Sequence, residues 1–120
     1  MIAQQNEAIA HKWFAAFNTK NIEQLLALYH LDAKHYSPKL KIHKPETQGF
    51  IIGKNALRTW WQEAFLRLPT LSYTVTSLTA NDKAVFMEYT RKVANEANML
   101  VAEILEIENG IIVASRVYHG

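Results

Sequence analysis

The sequence predicts an α+β domain in which helices come first and a meander of strands follows. Three observations predict it. Apolar residues recur at helical spacing up to Pro69, β-branched and aromatic residues crowd the runs after it, and Asn109-Gly110 marks a tight hairpin turn between two of those runs. At 120 residues the chain makes one domain, long enough to bury about two-thirds of its unfolded surface.

Ile9, Trp13 and Phe17 step by four residues, and Phe14 widens the stripe, so a first helix can bury one face. Asn18 to Asn21 breaks it. Asn21 can cap a second helix, with Gln24 at the reciprocal capping position and Leu25, Leu28 and Tyr29 on the apolar side. HYSPKL, from His35 to Leu40, predicts a short strand that ends at Pro38, because proline lacks the amide hydrogen a ladder needs. KIHKPETQG predicts a loop and GFII a second short strand. After Gly53 the doublets Ala56/Leu57, Trp60/Trp61 and Ala64/Phe65, then Leu68, predict a third helix, which Pro69 stops. LSYTVTSL, AVFMEYTRKV, NMLVAEILEIE and IIVASRVYH predict four long strands, with turns at Asn81-Asp82, at ANE and at Asn109-Gly110.

Composition excludes several classes. A net charge of +2 is too small to imply a polyanion partner. Lys34, Lys39, Lys41 and Lys44 make a basic loop, but no aromatic residues interleave it in the manner of a nucleic-acid platform. Without cysteine there are no disulfides and no thiol nucleophile, which fits a cytoplasmic protein. The first residues carry Glu7 where a secretion signal needs an unbroken apolar core, and no apolar run reaches the roughly 20 residues of a membrane span. The expectation is an intact cytoplasmic domain with no membrane partner. His30, His35 and His43 lack metal-ligand spacing, and no phosphate-cradling glycine motif exists, so neither metal nor other cofactor is expected.

The order of elements, with LALYHLDAKHYSP, GKNALRTWW and AEILEIENGIIVASR at their junctions, resembles the NTF2-like superfamily over essentially the whole chain. It looks closest to the SnoaL-like branch, which includes polyketide cyclases and is related to the ketosteroid isomerases. The resemblance implies a cone: three N-terminal helices packed in a strongly curved, mixed but mainly antiparallel sheet that encloses a pocket. It also implies dimerisation through the outer sheet face. The scaffold hosts isomerases, cyclases, dehydratases and non-catalytic binding domains, so it specifies fold better than reaction. In the isomerases an aspartate before a proline is the general base; Ser37 stands in that position here, and an unaided hydroxyl is too feeble for the task. The isomerase oxyanion-hole tyrosine falls near Trp13, whose indole only donates. The third position is kept in kind, because Glu103 matches a strand carboxylate that an apolar site can hold neutral. In the cyclases a carboxylate there serves as acid/base.

Side chains alternate along a strand, so Met99, Val101, Glu103, Leu105 and Ile107 share one face, and burial without a cation would raise the Glu103 pKa. The alternative is a glutamate at a cavity rim, solvated or paired with Arg91 or Arg116. On the preceding strand Val85, Met87, Tyr89, Arg91 and Val93 line the same cavity, with Met87 or Tyr89 opposite Glu103. Tyr89 can donate to a substrate oxygen or bond locally, and Arg91 can clamp an anion or sit in an ion pair. Trp60 and Trp61 favour a flat, ring-bearing apolar ligand, or serve as core. His35 and Ser37 share one side of their strand; an inward His35 would supply the proton-transfer group that Ser37 cannot, and the alternative is a hydrogen-bonded structural histidine. His119 can reach the cavity rim. Leu100, Ala102, Ile104 and Phe86 form an apolar outer face that predicts a homodimer. Two functions follow. One is a cofactor-free isomerase, cyclase or dehydratase acting on a hydrophobic carbonyl compound, with Glu103 as acid/base and His35 and Tyr89 assisting. The other is a non-catalytic ligand-binding or dimeric interaction domain.

Overall fold

The stripe around Trp13 is an α-helix, α1, over Ile2–Asn18, and it buries Ile9, Ala10, Trp13, Phe14 and Phe17. The computed structural model describes residues 1–120. Asn21 caps α2 (Ile22–Ala27), its side chain accepting the Gln24 amide at 3.1 Å. That helix is shorter than its apolar spacing suggested. Tyr29 opens a strand instead, β1 (Tyr29–Tyr36), which pairs with two neighbours. Pro38 does not end a strand in loop but starts a short helix, α3 (Pro38–His43), because the first helical position needs no amide donor. A 3-10 turn over Pro45–Thr47 leads to β2 (Phe50–Ile52). The third long-range apolar pattern is α4 (Lys54–Arg67), with Leu57, Trp60, Trp61 and Phe65 buried.

The remaining strands are β3 (Ser72–Ala80), β4 (Ala84–Lys92), β5 (Met99–Glu108) and β6 (Ile111–His119). At the last hairpin Asn109 and Gly110 both have positive φ, 53° and 78°, as a tight turn matched to strand twist requires. The six strands form one open sheet in the order β2-β1-β6-β5-β4-β3. Every pairing is antiparallel except β1 with β6, so the sheet is mixed and mainly antiparallel. The fold is α+β, with α1 against β3 and β4, and α4 against β1 and β2.

Two pairings position the site. Met87 stands opposite Glu103, and Tyr89 opposite Val101. The parallel pair sets His35 beside Ser115. One face of β5 is buried through Val101, Glu103, Leu105 and Ile107, while Leu100 on the other face is 67% exposed.

Candidate functional site

Glu103 is 2% exposed in the middle of β5, in a row where its neighbours are apolar. No cation reaches it. Arg91 is held by Glu96 at 3.0 Å and Arg116 by Glu106, so neither pairing open to Glu103 in the sequence forms. Its one partner is the Tyr89 hydroxyl, which donates to Oε1 at 2.8 Å. Oε2 is buried with no hydrogen-bond partner, the one side-chain polar atom of the protein in that condition. Burial pushes the carboxyl up to about 8; the Tyr89 hydrogen bond favours the ionised form but loses to desolvation. The Tyr89 phenol is pushed well above its usual range, first by burial and then by the charge of Glu103. Its ring packs against Tyr73, with centroids 4.3 Å apart.

Glu103 lines a cavity of about 90 Å3 between α4 and the sheet. The cavity opens past Lys39, Arg67 and His119, which are exposed or half-buried. Tyr89, Val101 and Arg91 line it from the sheet, Trp60 and Trp61 from α4, and His35 and Ser37 from β1 and the residue after it. Nine of the residues expected at the site therefore meet around one space, His119 among them. Trp13 and Met87 do not. The Trp13 indole is spent on the Tyr29 hydroxyl at 2.9 Å, and Met87, though opposite Glu103 in register, is 1% exposed within the core.

His35 is 3% exposed and its Nδ1 lies 2.6 Å from the Ser115 hydroxyl. Its ring meets Trp61 edge-on, with centroids 5.7 Å apart. Burial pushes the imidazole down to about 4, so it is neutral at pH 7. The His119 imidazole is lowered too, by burial and then by the charges of Lys39 and Arg91. The mouth is thus positive and the depth holds the lone acid. No group of three His, Asp or Glu side chains is placed to hold a metal.

Sequence reasoning missed Ser115, Tyr29, Tyr73 and Arg67, and it named Lys39 only within the basic loop. Ser115 carried a signal: it is a polar residue in a strand whose inward positions are otherwise Ile112 and Val117, as Glu103 is in its own. Tyr29 carried none, because helical spacing from Leu25 claimed it.

A SnoaL-like domain profile matches residues 10–115. Among solved structures, a SnoaL-like protein of unknown function from Burkholderia thailandensis superposes with a TM-score of 0.84 at 22% identity, covering 99% of this chain and 94% of that one. TerC co-crystallised with polyporic acid gives 0.83 at 16% identity, covering 97% and 92%. An LEH-like epoxide hydrolase from M. tuberculosis gives 0.79 at 15% identity, covering 98% and 84%. None of the curated proteins compared with the chain matches it. At such identities the structures establish the NTF2-like fold, and the profile match over most of the sequence establishes the lineage: the chain belongs to the SnoaL-like domain family.

Proposed function

We propose that the cavity is the site of a cofactor-independent isomerase or cyclase that moves a proton on a hydrophobic carbonyl compound, with Glu103 as the acid/base. The observation that carries this is the Glu103 carboxyl itself, buried without a cation, with one oxygen oriented by Tyr89 and the other unpartnered. A base works best when its pKa lies near the working pH, and burial has moved this one from the ordinary carboxylate range to about 8. In the step, the Glu103 carboxylate takes a proton from the carbon beside the carbonyl; the C–H electron pair forms the new C=C bond and the carbonyl π pair moves onto oxygen, giving an enolate. The carboxyl exchanges that proton with solvent and gives a proton back as the carbonyl re-forms, to the same carbon in a simple ketone or to the γ-carbon of an enone, where the double bond shifts in step. The balance needs no redox partner.

The walls fit an apolar or ring-bearing body: 10 of the 17 lining residues are hydrophobic, Trp60, Trp61, Leu68, Leu71 and Tyr73 among them. A volume of about 90 Å3 is less than the ~150 Å3 apolar cavity that admits benzene, so the reacting end of the ligand enters and the rest lies across the open mouth. There Lys39 and Arg67 favour a ligand with an acidic group. A fold relative crystallised with polyporic acid is in keeping with a small-molecule role. We place the protein in the cytoplasm, which suits a chain without cysteine; no helix is long and apolar enough to cross a membrane.

The test is solvent deuterium exchange. Small ketones and enones in D2O, followed by proton NMR, are expected to lose their α-protons faster with the protein than with buffer, and Glu103→Gln is expected to abolish the difference. Probes that bind without any acceleration would favour the second function, a non-catalytic binding domain. Ser37 in place of a second acid is the observation on that side, since no other carboxylate lines the cavity.

We also propose a homodimer through the outer face of the sheet, where Leu100, Phe86 and Tyr118 are 67%, 49% and 48% exposed on neighbouring strands.

A further inference from the structure

The hydrogen-bond polarity around His35 is settled by a residue some distance from the cavity. The Trp13 indole can only donate, and it donates to the Tyr29 oxygen at 2.9 Å. Tyr29 is fully buried, so its own hydrogen must also find an acceptor. The Ser115 hydroxyl lies beside it. Ser115 is 1% exposed, and the hydrogen bond its hydroxyl makes is with His35 Nδ1 at 2.6 Å. With the Tyr29 hydrogen on its oxygen, Ser115 satisfies its own hydrogen by giving it to Nδ1. That nitrogen must then be the bare one, and the ring proton sits on Nε2.

Nε2 has no protein partner, yet it is not a buried side-chain polar atom left unpartnered, a condition in which Glu103 Oε2 stands alone. It opens onto the cavity that His35 lines. We propose that Trp13, Tyr29 and Ser115 form a one-way hydrogen-bond chain that locks His35 as the neutral Nε2–H tautomer, giving the cavity a fixed N–H donor for a carbonyl or enolate oxygen. His35 is then the donor that steadies charge on oxygen, not a second base. Ser115, Tyr29 and Trp13 are positioning residues that act only through it. An oriented donor in a water-poor site is worth more than one that must first turn to its task. Burial adds to this by keeping the ring uncharged across the neutral range, so the donor is present whatever the solvent pH between about 5 and 9.

The role at a substrate oxygen rests on the proposed proton transfer, but the tautomer does not, and it can be read without ligand. Long-range proton–nitrogen NMR correlations on 15N-histidine-labelled protein, with His35 assigned through its backbone, distinguish the two tautomers directly. The wild type at pH 7 is expected to show a pyridine-like Nδ1 and a protonated Nε2 at His35. Tyr29→Phe removes the hydrogen that sets the direction and is expected to raise the Nδ1–H share severalfold. Ser115→Ala is expected to leave a tautomer mixture. A protonated Nδ1 in the wild type would overturn the proposal, and that measurement requires no variant to fold. A His35 tautomer unmoved in both variants would overturn it as well. Loss of the deuterium exchange with the Nε2–H tautomer intact would remove the proposed reaction and leave the donor standing.

Discussion

The Tyr89 hydroxyl donates to Oε1 of Glu103 at 2.8 Å, while Oε2 of the same carboxyl is reached by no protein group. One oxygen is therefore oriented and the other is buried without a partner. The sheet builds this asymmetry: Met87 takes the place directly opposite Glu103, and Tyr89, one step along the same face, reaches back diagonally with its hydroxyl.

Glu103→Gln is expected to lower catalysed deuterium exchange by about 10²–10⁴-fold, the usual worth of a positioned general base. Because an ionised Glu103 does the work, the wild-type rate is expected to rise with pH and level off above about 8. A rate independent of pH between 6 and 9 would contradict the assignment.

Tyr89→Phe removes the one hydrogen bond that favours the charged carboxylate, so the Glu103 pKa is expected to rise further. A carbon-13 titration of the glutamate side chain reads this directly. The rate plateau is expected to move to higher pH in step with it.

Two buried groups tilt stability in opposite directions. Glu103 is raised from 4.5 to about 8, so the folded state holds its proton where the unfolded chain has lost it. The stability tied to that proton is complete below about 4.5 and falls as pH rises to about 8. His35 is lowered from 6.5 to about 4, so its contribution is complete above 6.5 and is lost as pH falls to about 4. Denaturant melts of Glu103→Gln are expected to lack the alkaline decline and keep the acid one. At pH 9 the variant is expected to exceed the wild type by a few kcal/mol, roughly 1.4 for each unit of pKa shift realised. A wild-type curve that is flat from pH 5 to 9 would show that the carboxyl is not buried in solution.

Trp13→Phe keeps an aromatic ring in the core but leaves the Tyr29 oxygen without its donor. The expected cost is about 1–3 kcal/mol in a urea melt, with the cavity's lining untouched.

For the proposed dimer, Leu100→Asp puts a charge on the outer sheet face without touching Glu103, which points the other way along the same strand. Sedimentation velocity at micromolar concentration is expected to give a dimer for the wild type and a monomer for the variant. A wild-type monomer would remove the proposal.

Much of this protein was legible because the relevant signals are local. Asn21 and Gln24 announced a cap, Asn109-Gly110 a hairpin, and the alternation around Glu103 an acid on a buried face; each depends on residues a few positions apart, whose geometry the backbone imposes. β1 was legible only in part. Its pairing with β6 shifts register between Tyr29 and Lys34, and on the face that buries Tyr29, Ala33 and His35 the apolar Leu31 is 68% exposed, which breaks the alternation. Spacing from Leu25 then made Tyr29 look helical, and the strand's partners decided otherwise.

By itself the sequence determined the order of elements, their amphipathic faces and the presence of one carboxylate among apolar neighbours. Tertiary structure alone decided that Arg91 and Arg116 turn to Glu96 and Glu106, leaving Glu103 without a cation, and that Trp13 serves Tyr29 instead of the cavity. It also brought Ser115 to His35 across 80 residues of chain. The reason is physical: periodicity is fixed within a turn or a pleat, whereas desolvation and the direction of a hydrogen bond depend on which distant side chains the packed sheet sets within 3 Å of one another.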